Sequence, residues 1–139
     1  MYKVRQLLDQ GAAVNQGRTN DGVTPLYAAA FEGHAEIVGL LISSGAAMNQ
    51  STTDNGETPL YVATFNSHTE VVRLLIDYGA AVNQARTNDG ATPLYAAATQ
   101  GHTELARLLI DGAASVNQAT TDDGKTPLYI AAQEGHAEV

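Results

Sequence analysis

Four histidines, His34, His68, His102 and His136, recur at a constant step of 34 residues. Imidazole is both a metal ligand and a general base, so the first question is whether any two could share a site. Helices packed side by side lie roughly 8–10 Å apart, whereas zinc holds its histidine nitrogens at about 2.0–2.1 Å. One histidine per repeated unit therefore assembles no ion site within one stack, and each reads as a turn residue. The neighbouring acids Asp122 and Asp123 sit in a turn-rich stretch and not in a dry cleft. Nucleophile-elbow, glycine-rich phosphate-loop and His-Glu-x-x-His patterns do not occur. The sequon Asn49-Gln50-Ser51 has no Ser or Thr in its sibling positions after Asn15, Asn83 and Asn117, so it reads as chance. No catalytic residue, metal or cofactor is assigned, and an enzyme is not expected.

The histidines belong to a longer repeat. Thr24-Pro25-Leu26-Tyr27 returns at Thr58, Thr92 and Thr126, each 34 residues after the last, and the four prolines of the chain all lie in these copies. A fixed period in this range marks an array of stacked units. Three whole units span 17–50, 51–84 and 85–118. Residues 1–16 form the tail of a preceding unit, and 119–139 the front of a fourth.

Within a unit, the pattern predicts a helix, a short turn, a second helix and an extended loop. Thr24 is a helix N-cap, and Pro25 suits the first helical position because its missing donor has no partner there. Gly33 ends the first helix in the left-handed conformation. The second helix starts near Ala35, with Glu36 suiting the dipole of its first turn. Ile37, Val38, Leu41 and Ile42 form its buried stripe, joined by Leu40. On the opposite face, Glu70, Arg73 and Asp77, and likewise Glu104, Arg107 and Asp111, stand at spacings that allow pairs within one helix. Gly45 and Gly79 close the second helix. Asn88-Asp89-Gly90 is a turn signal, so a hairpin or loop finger follows. Such short helices are marginal alone, so each unit needs a neighbour to cover its apolar face.

Composition narrows the partners. Apolar residues make up 44% of the chain but aromatic ones only 6%, with no Trp, so alanine and leucine must do most of the packing. Seven basic residues against 15 acidic give a net charge of −8, which repels phosphate backbones and favours a partner with basic surface. Nucleic acid is not an expected partner. The longest strictly apolar run, Leu26 to Phe31, is far short of the ~20 residues that span a bilayer, so no membrane association is expected. The absence of cysteine and of an apolar signal-peptide core at the N-terminus suggests an intracellular, cytoplasmic setting, with the nucleus as alternative.

The pattern Asp21-Gly22-x-Thr-Pro-Leu-Tyr-x-Ala-Ala-x-x-Gly33-His34-x-Glu36-Ile37-Val38-x-Leu40-Leu41-Ile42-x-x-Gly45-Ala46-x-Met48-Asn49 resembles the ankyrin repeat, and it holds phase through the whole chain. The resemblance implies a mainly helical solenoid. Its stacked helix-turn-helix units carry projecting β-hairpin or loop fingers, and its concave face binds other proteins.

Four departures from that family's pattern stand out. The period is 34 where 33 is usual, which places an extra residue in the finger, between Gln16 and Asn20 and in its copies. Tyr27, Tyr61, Tyr95 and Tyr129 replace the usual His. Ser67 stands where Gly33, Gly101 and Gly135 stand, at a cost of about 1 kcal/mol unless Asn66 takes the left-handed role. Gly112-Ala113 is shifted against Tyr78-Gly79, so the helix before it should end a residue early. These irregularities, with Gly39 inside a helix, indicate a natural array and not an idealised consensus.

Against the repeated frame, a few positions vary. In the fingers these are Arg18, Asn20, Asp21 and Val23; Asp54, Asn55 and Glu57; Arg86, Asn88 and Asp89; and Asp122, Asp123 and Lys125. Just before the helix-ending residue they are Phe31 and Glu32, Phe65 and Asn66, and Thr99 and Gln100. By the resemblance these side chains point into the groove and contact a protein or peptide partner, with Phe31 and Phe65 as apolar anchors and the acids as a rim. The competing expectation is that each Phe folds onto its own helix pair. A structural spacer, or a segment that self-associates end to end, is the alternative function.

Overall fold

A computed structural model describes residues 1–139 and contains eight helices and no strand. They are α1 (Tyr2–Asp9), α2 (Pro25–Glu32), α3 (Ala35–Ser43), α4 (Pro59–Phe65), α5 (Thr69–Asp77), α6 (Pro93–Gln100), α7 (Thr103–Asp111) and α8 (Pro127–Glu134). The pairs α2/α3, α4/α5 and α6/α7 are helix hairpins. Their first helices, with α8, form an inner layer, and α3, α5 and α7 an outer one. No helix is long and apolar enough to cross a membrane.

The Thr-Pro-Leu-Tyr motif starts each inner helix as its chemistry dictates. Thr24, Thr58, Thr92 and Thr126 each accept, through Oγ1, the N–H three residues on, at 3.1 Å in every copy. The leucine of the motif goes to the centre of the stack: Leu26, Leu60 and Leu94 are at most 3% exposed. Ala29, Ala63 and Ala97 are buried beside them, so the small residue sets how closely the layers approach. In the outer layer Val38 and Leu41 are buried, but Ile37, Leu40 and Ile42 are only half-buried, a narrower stripe than expected. Arg73 likewise reaches across to Glu104 of the next outer helix (3.4 Å) instead of pairing within its own.

Side-chain amides tie unit to unit. Asn15 Oδ1 accepts from the Ala47 N–H at 2.7 Å, Asn49 from Ala81 at 2.8 Å and Asn83 from Ser115 at 2.7 Å. In return Gln84 Nε2 donates to the Asn49 carbonyl (3.1 Å) and Gln118 Nε2 to that of Asn83 (3.3 Å). The fingers are loops and not β-hairpins. One or two backbone bonds close each, such as Arg86 N–H to the Ala91 carbonyl (2.9 Å) and Gly90 N–H to the Arg86 carbonyl (3.0 Å), and one backbone bond joins it to the next, such as Thr87 N–H to the Asn55 carbonyl (2.9 Å).

At two helix ends the neighbouring repeat decides the conformation, in the first between the two expected alternatives and in the second against expectation. Ser67 itself takes the left-handed conformation (φ 64), while Asn66 stays at φ −89. At Gly33 and Gly101 a Cβ would lie 2.6 Å from Nδ1 of His68 and His136, whose Nε2 atoms donate to the carbonyls of Phe31 (2.9 Å) and Thr99 (3.1 Å). Ser67 has that Cβ, and His102 departs from the pattern accordingly. Its Nε2 donates to Gln100 Oε1 (3.2 Å) and lies against Ser67 Oγ, and Gln100 Nε2 takes over the Phe65 carbonyl at 2.8 Å.

The second case is α7, which does not end early. It runs to Asp111 with the same nine residues as α5, and Ala113 adopts φ 70. The closing bonds, Ala113 N–H to Ile110 and Ala114 N–H to Leu109 (both 2.9 Å), match those of Gly79 and Ala80. A left-handed alanine costs about 1–2 kcal/mol. A shortened helix would instead misplace Leu109 and the Ala113 carbonyl that Asn83 Nδ2 holds at 3.3 Å. Ala113→Gly is expected to raise the unfolding free energy by about 1 kcal/mol and Gly79→Ala to lower it by a similar amount. Urea melts should show midpoints moving in opposite directions at unchanged slope. Two midpoints that stay with the wild type would show that neither position carries the strain.

Candidate protein-interaction surface

The inner helices expose one ridge between their layer and the fingers, and aromatic pairs occupy it. Phe31 stacks on Tyr27, one turn earlier in α2, with centroids 6.5 Å apart and planes at 25°. Phe65 stacks on Tyr61 at 6.3 Å and 15°. Each Phe thus leans on its own helix yet remains about half exposed (47% and 49%), which combines the two expectations. The tyrosines beneath are buried, so the phenylalanines present flat faces on a fixed base.

Polar contacts join this ridge to the fingers. Tyr27 OH donates to Glu57 Oε2 at 2.6 Å. Arg86 NH1 donates to Glu57 Oε1 at 3.1 Å, its guanidinium also forms a two-pronged pair with Asp89, and its carbon lies 5.0 Å over the Tyr61 ring. One connected set of side chains therefore links α2, α4 and the two fingers that carry Glu57 and Arg86. Two cavities open along it. One of about 390 Å³ is walled by Tyr27, Phe31, Thr52, Asp54 and Glu57; the other, of about 260 Å³, by Phe31, Tyr61, Phe65 and Arg86.

The acidic rim is less acidic than a count of residues implies. Arg18 pairs with Asp21, Arg86 with Glu57 and Asp89, and Lys125 with Asp123. These cations hold the carboxyls of Asp21 and Asp89 below the usual range and lower that of Asp123 to about 2. Asp54, Asp122 and Glu32 have no cationic partner in the chain. The Asn55 N–H donates to Asp54 at 2.7 Å and holds its carboxyl below the usual range.

Of the other sequence-selected positions, Asn20 is exposed and Val23 half-buried beside the larger cavity. Asn88 donates to Asn55 Oδ1 of the preceding finger (3.4 Å). Three positions expected to face a partner are engaged internally. Asn66 Nδ2 and Gln100 Nε2 donate to the carbonyls of Phe31 (3.4 Å) and Phe65, and Thr99 Oγ1 donates to the Tyr95 carbonyl at 2.9 Å. Their amides and hydroxyl complete bonds of the stack before any partner arrives. Tyr27 and Tyr61 belong to the surface although they are not among the varying positions. Their signal was the four-residue step to Phe31 and Phe65, which places each pair one above the other on a helix. No group of three or more His, Cys, Asp or Glu side chains is placed to hold a metal ion.

A solenoid of stacked helix hairpins with loop fingers and an aromatic ridge on its inner layer defines the class. The family model for ankyrin repeats (3 copies) matches residues 2–86 and 82–139, and the chain belongs to the ankyrin-repeat family. Members of that family are generally protein–protein interaction modules and typically not enzymes. No curated protein matches the chain at a significant level.

The phenols beneath the ridge make its stability sensitive to alkali. Burial raises the Tyr27 and Tyr61 hydroxyls above 10.0, with Glu57 adding to the effect at Tyr27, and Tyr61 reaches about 12. Both bind their proton more tightly folded than unfolded. Their contribution is therefore complete below pH ~10 and is lost as the pH rises from there toward 12. Urea midpoints should fall across this window, and less steeply for Tyr61→Phe. An identical fall in wild type and variant would remove Tyr61 from the account.

Proposed function

We propose that the chain binds a protein or peptide through its concave face, acting as an adaptor or scaffold module. The aromatic ridge and the variable fingers make the contact. The observation that carries this reading is the pair Phe31 and Phe65, half exposed on a rigid base of buried tyrosines. Large flat side chains that lose little freedom on binding are the usual anchors of protein interfaces. Phe31, Phe65, Glu32 and the exposed finger residues Asn20, Asp54 and Asp122 form the contacting set. Asn66, Thr99 and Gln100 support it from beneath. The net charge of −8 favours a partner with basic surface over nucleic acid.

A second reading, end-to-end association of copies, has one specific observation in its favour. Leu128 of α8 is 75% exposed, whereas its equivalents Leu26, Leu60 and Leu94 are buried. Sedimentation that shows mass rising with concentration would support it, and a constant monomer would remove it.

For the leading reading, a partner is captured from the source cell and titrated calorimetrically. Replacing both Phe31 and Phe65 by Ala should weaken binding by more than ~1 kcal/mol while leaving the helical circular dichroism and the melting midpoint close to wild type. Unchanged affinity would overturn the assignment of the ridge.

A further inference from the structure

We infer that the concave face takes an extended peptide carrying an arginine or lysine in the cavity beside Tyr27, with an aliphatic residue three positions away in the cavity between Phe31 and Phe65. This rests on the proposed interaction reading and specifies the partner's chemistry.

The chain itself displays the mode of recognition. Over Tyr61, a guanidinium of the chain fills the space: Arg86 lies 5.0 Å above the ring and pairs with Glu57 and Asp89. The position 34 residues earlier is Thr52. Threonine is too short to cover Tyr27, and its side chain instead accepts the Glu57 N–H at 3.0 Å. The place that Arg86 fills over Tyr61 is thus open over Tyr27, and there the structure has a cavity of about 390 Å³. Its walls combine the stacked Tyr27 and Phe31 rings with Asp54 and Glu32, carboxylates that no cation of the chain neutralises; the one cation at its edge, Arg18, is taken up by Asp21. A cation over an aromatic face with carboxylates beside it is attracted by both. Arginine suits the site best because its planar group stacks and pairs at once.

The neighbouring cavity, about 260 Å³, has different chemistry. Phe31, Tyr61, Val62 and Phe65 give it apolar walls, and its one carboxylate, Glu57, is already held by Arg86. An aliphatic side chain fits that composition. The two cavities belong to successive inner helices, packed roughly 8–10 Å apart. Polyproline-type chain rises about 3.1 Å per residue with three residues per turn, so side chains three positions apart lie about 9 Å apart on the same face.

The test is selection of random peptides displayed on phage by the immobilised chain, followed by anisotropy titration of synthetic copies. The expected peptides carry Arg or Lys with Leu, Ile, Val or Met three positions away. Their affinity should fall about tenfold for Thr52→Arg, which places a guanidinium of the chain where the peptide's would go. It should fall to a similar extent for the Asp54→Asn/Glu32→Gln pair, which keeps the loop intact should Thr52→Arg not fold. Norleucine in place of the basic residue should weaken binding to the wild type by the same factor and remove the sensitivity to either variant. Peptides without a basic residue that still depend on Phe31 and Phe65 would overturn this inference and leave the interaction reading standing. Peptides indifferent to both phenylalanines would overturn the two together. Basic peptides unaffected by Thr52→Arg and by the charge-neutral pair, or a library that yields no peptide, would also overturn the inference.

Discussion

The bonds that cross from one repeat to the next impose a single register on the stack, and the rest of the structure conforms to it. Asn15 meets Ala47, Asn49 meets Ala81 and Asn83 meets Ser115 at nearly equal distances. The finger backbones repeat this regularity in Thr53 to Asp21, Thr87 to Asn55 and Thr121 to Asp89, all 2.8–2.9 Å. A slip in one unit would break bonds on two sides and uncover leucines in two layers. Local strain is the smaller loss. Ser67 and Ala113 therefore take left-handed conformations that neither residue favours, and His102 changes its partners so that the units on either side need not move.

This ordering of forces decides which features were legible in the sequence. The inner helices were, because their starts and most of their ends rest on local chemistry: a threonine cap, a proline, and a glycine at Gly33, Gly101 and Gly135. The same local rules leave the choice between Ser67 and Asn66 open, and at Gly112-Ala113 they shorten α7 wrongly. Those rules weigh a residue against its own backbone, whereas the structure weighs it against the neighbouring repeat. The electrostatics failed for a related reason. Glu57 and Arg86 are 29 residues apart and meet only because the stack brings one finger over the next. The pairs Arg18–Asp21, Arg86–Asp89 and Lys125–Asp123 are local in the chain, and only the neutralisation of Glu57 depends on that placement. The partial exposure of Phe31 and Phe65 is legible from their place just before the helix-ending residue, whereas a tyrosine of the constant motif gives no sign of its own that it serves as their base.

The tyrosines also explain how a constant frame supports a variable surface. In each copy the Thr cap and Pro fix the backbone from which Tyr springs, so the phenol enters the ridge at a fixed place. What meets it there differs. Arg86 covers Tyr61, Lys125 Nζ lies 5.9 Å from the Tyr129 ring, and Glu57 accepts from Tyr27. Each of these comes from a finger, and fingers can change without disturbing the caps, the buried leucines or the asparagine bonds. Thr52 and Arg86 occupy equivalent positions with opposite consequences, one leaving a cavity and the other filling it.

Preorganisation follows from the same geometry. A phenylalanine free to rotate in water would lose that freedom on binding and weaken the contact. Phe31 and Phe65 already lie against Tyr27 and Tyr61, and those rings are buried and tied by Glu57 and Arg86. The ordering is supplied when the stack folds. The surface is therefore as rigid as the register beneath it, and loosening the stack loosens the ridge. Strain at Ser67 bears on this directly, since that residue closes the turn after Phe65 and sets which side chain holds the Phe65 carbonyl.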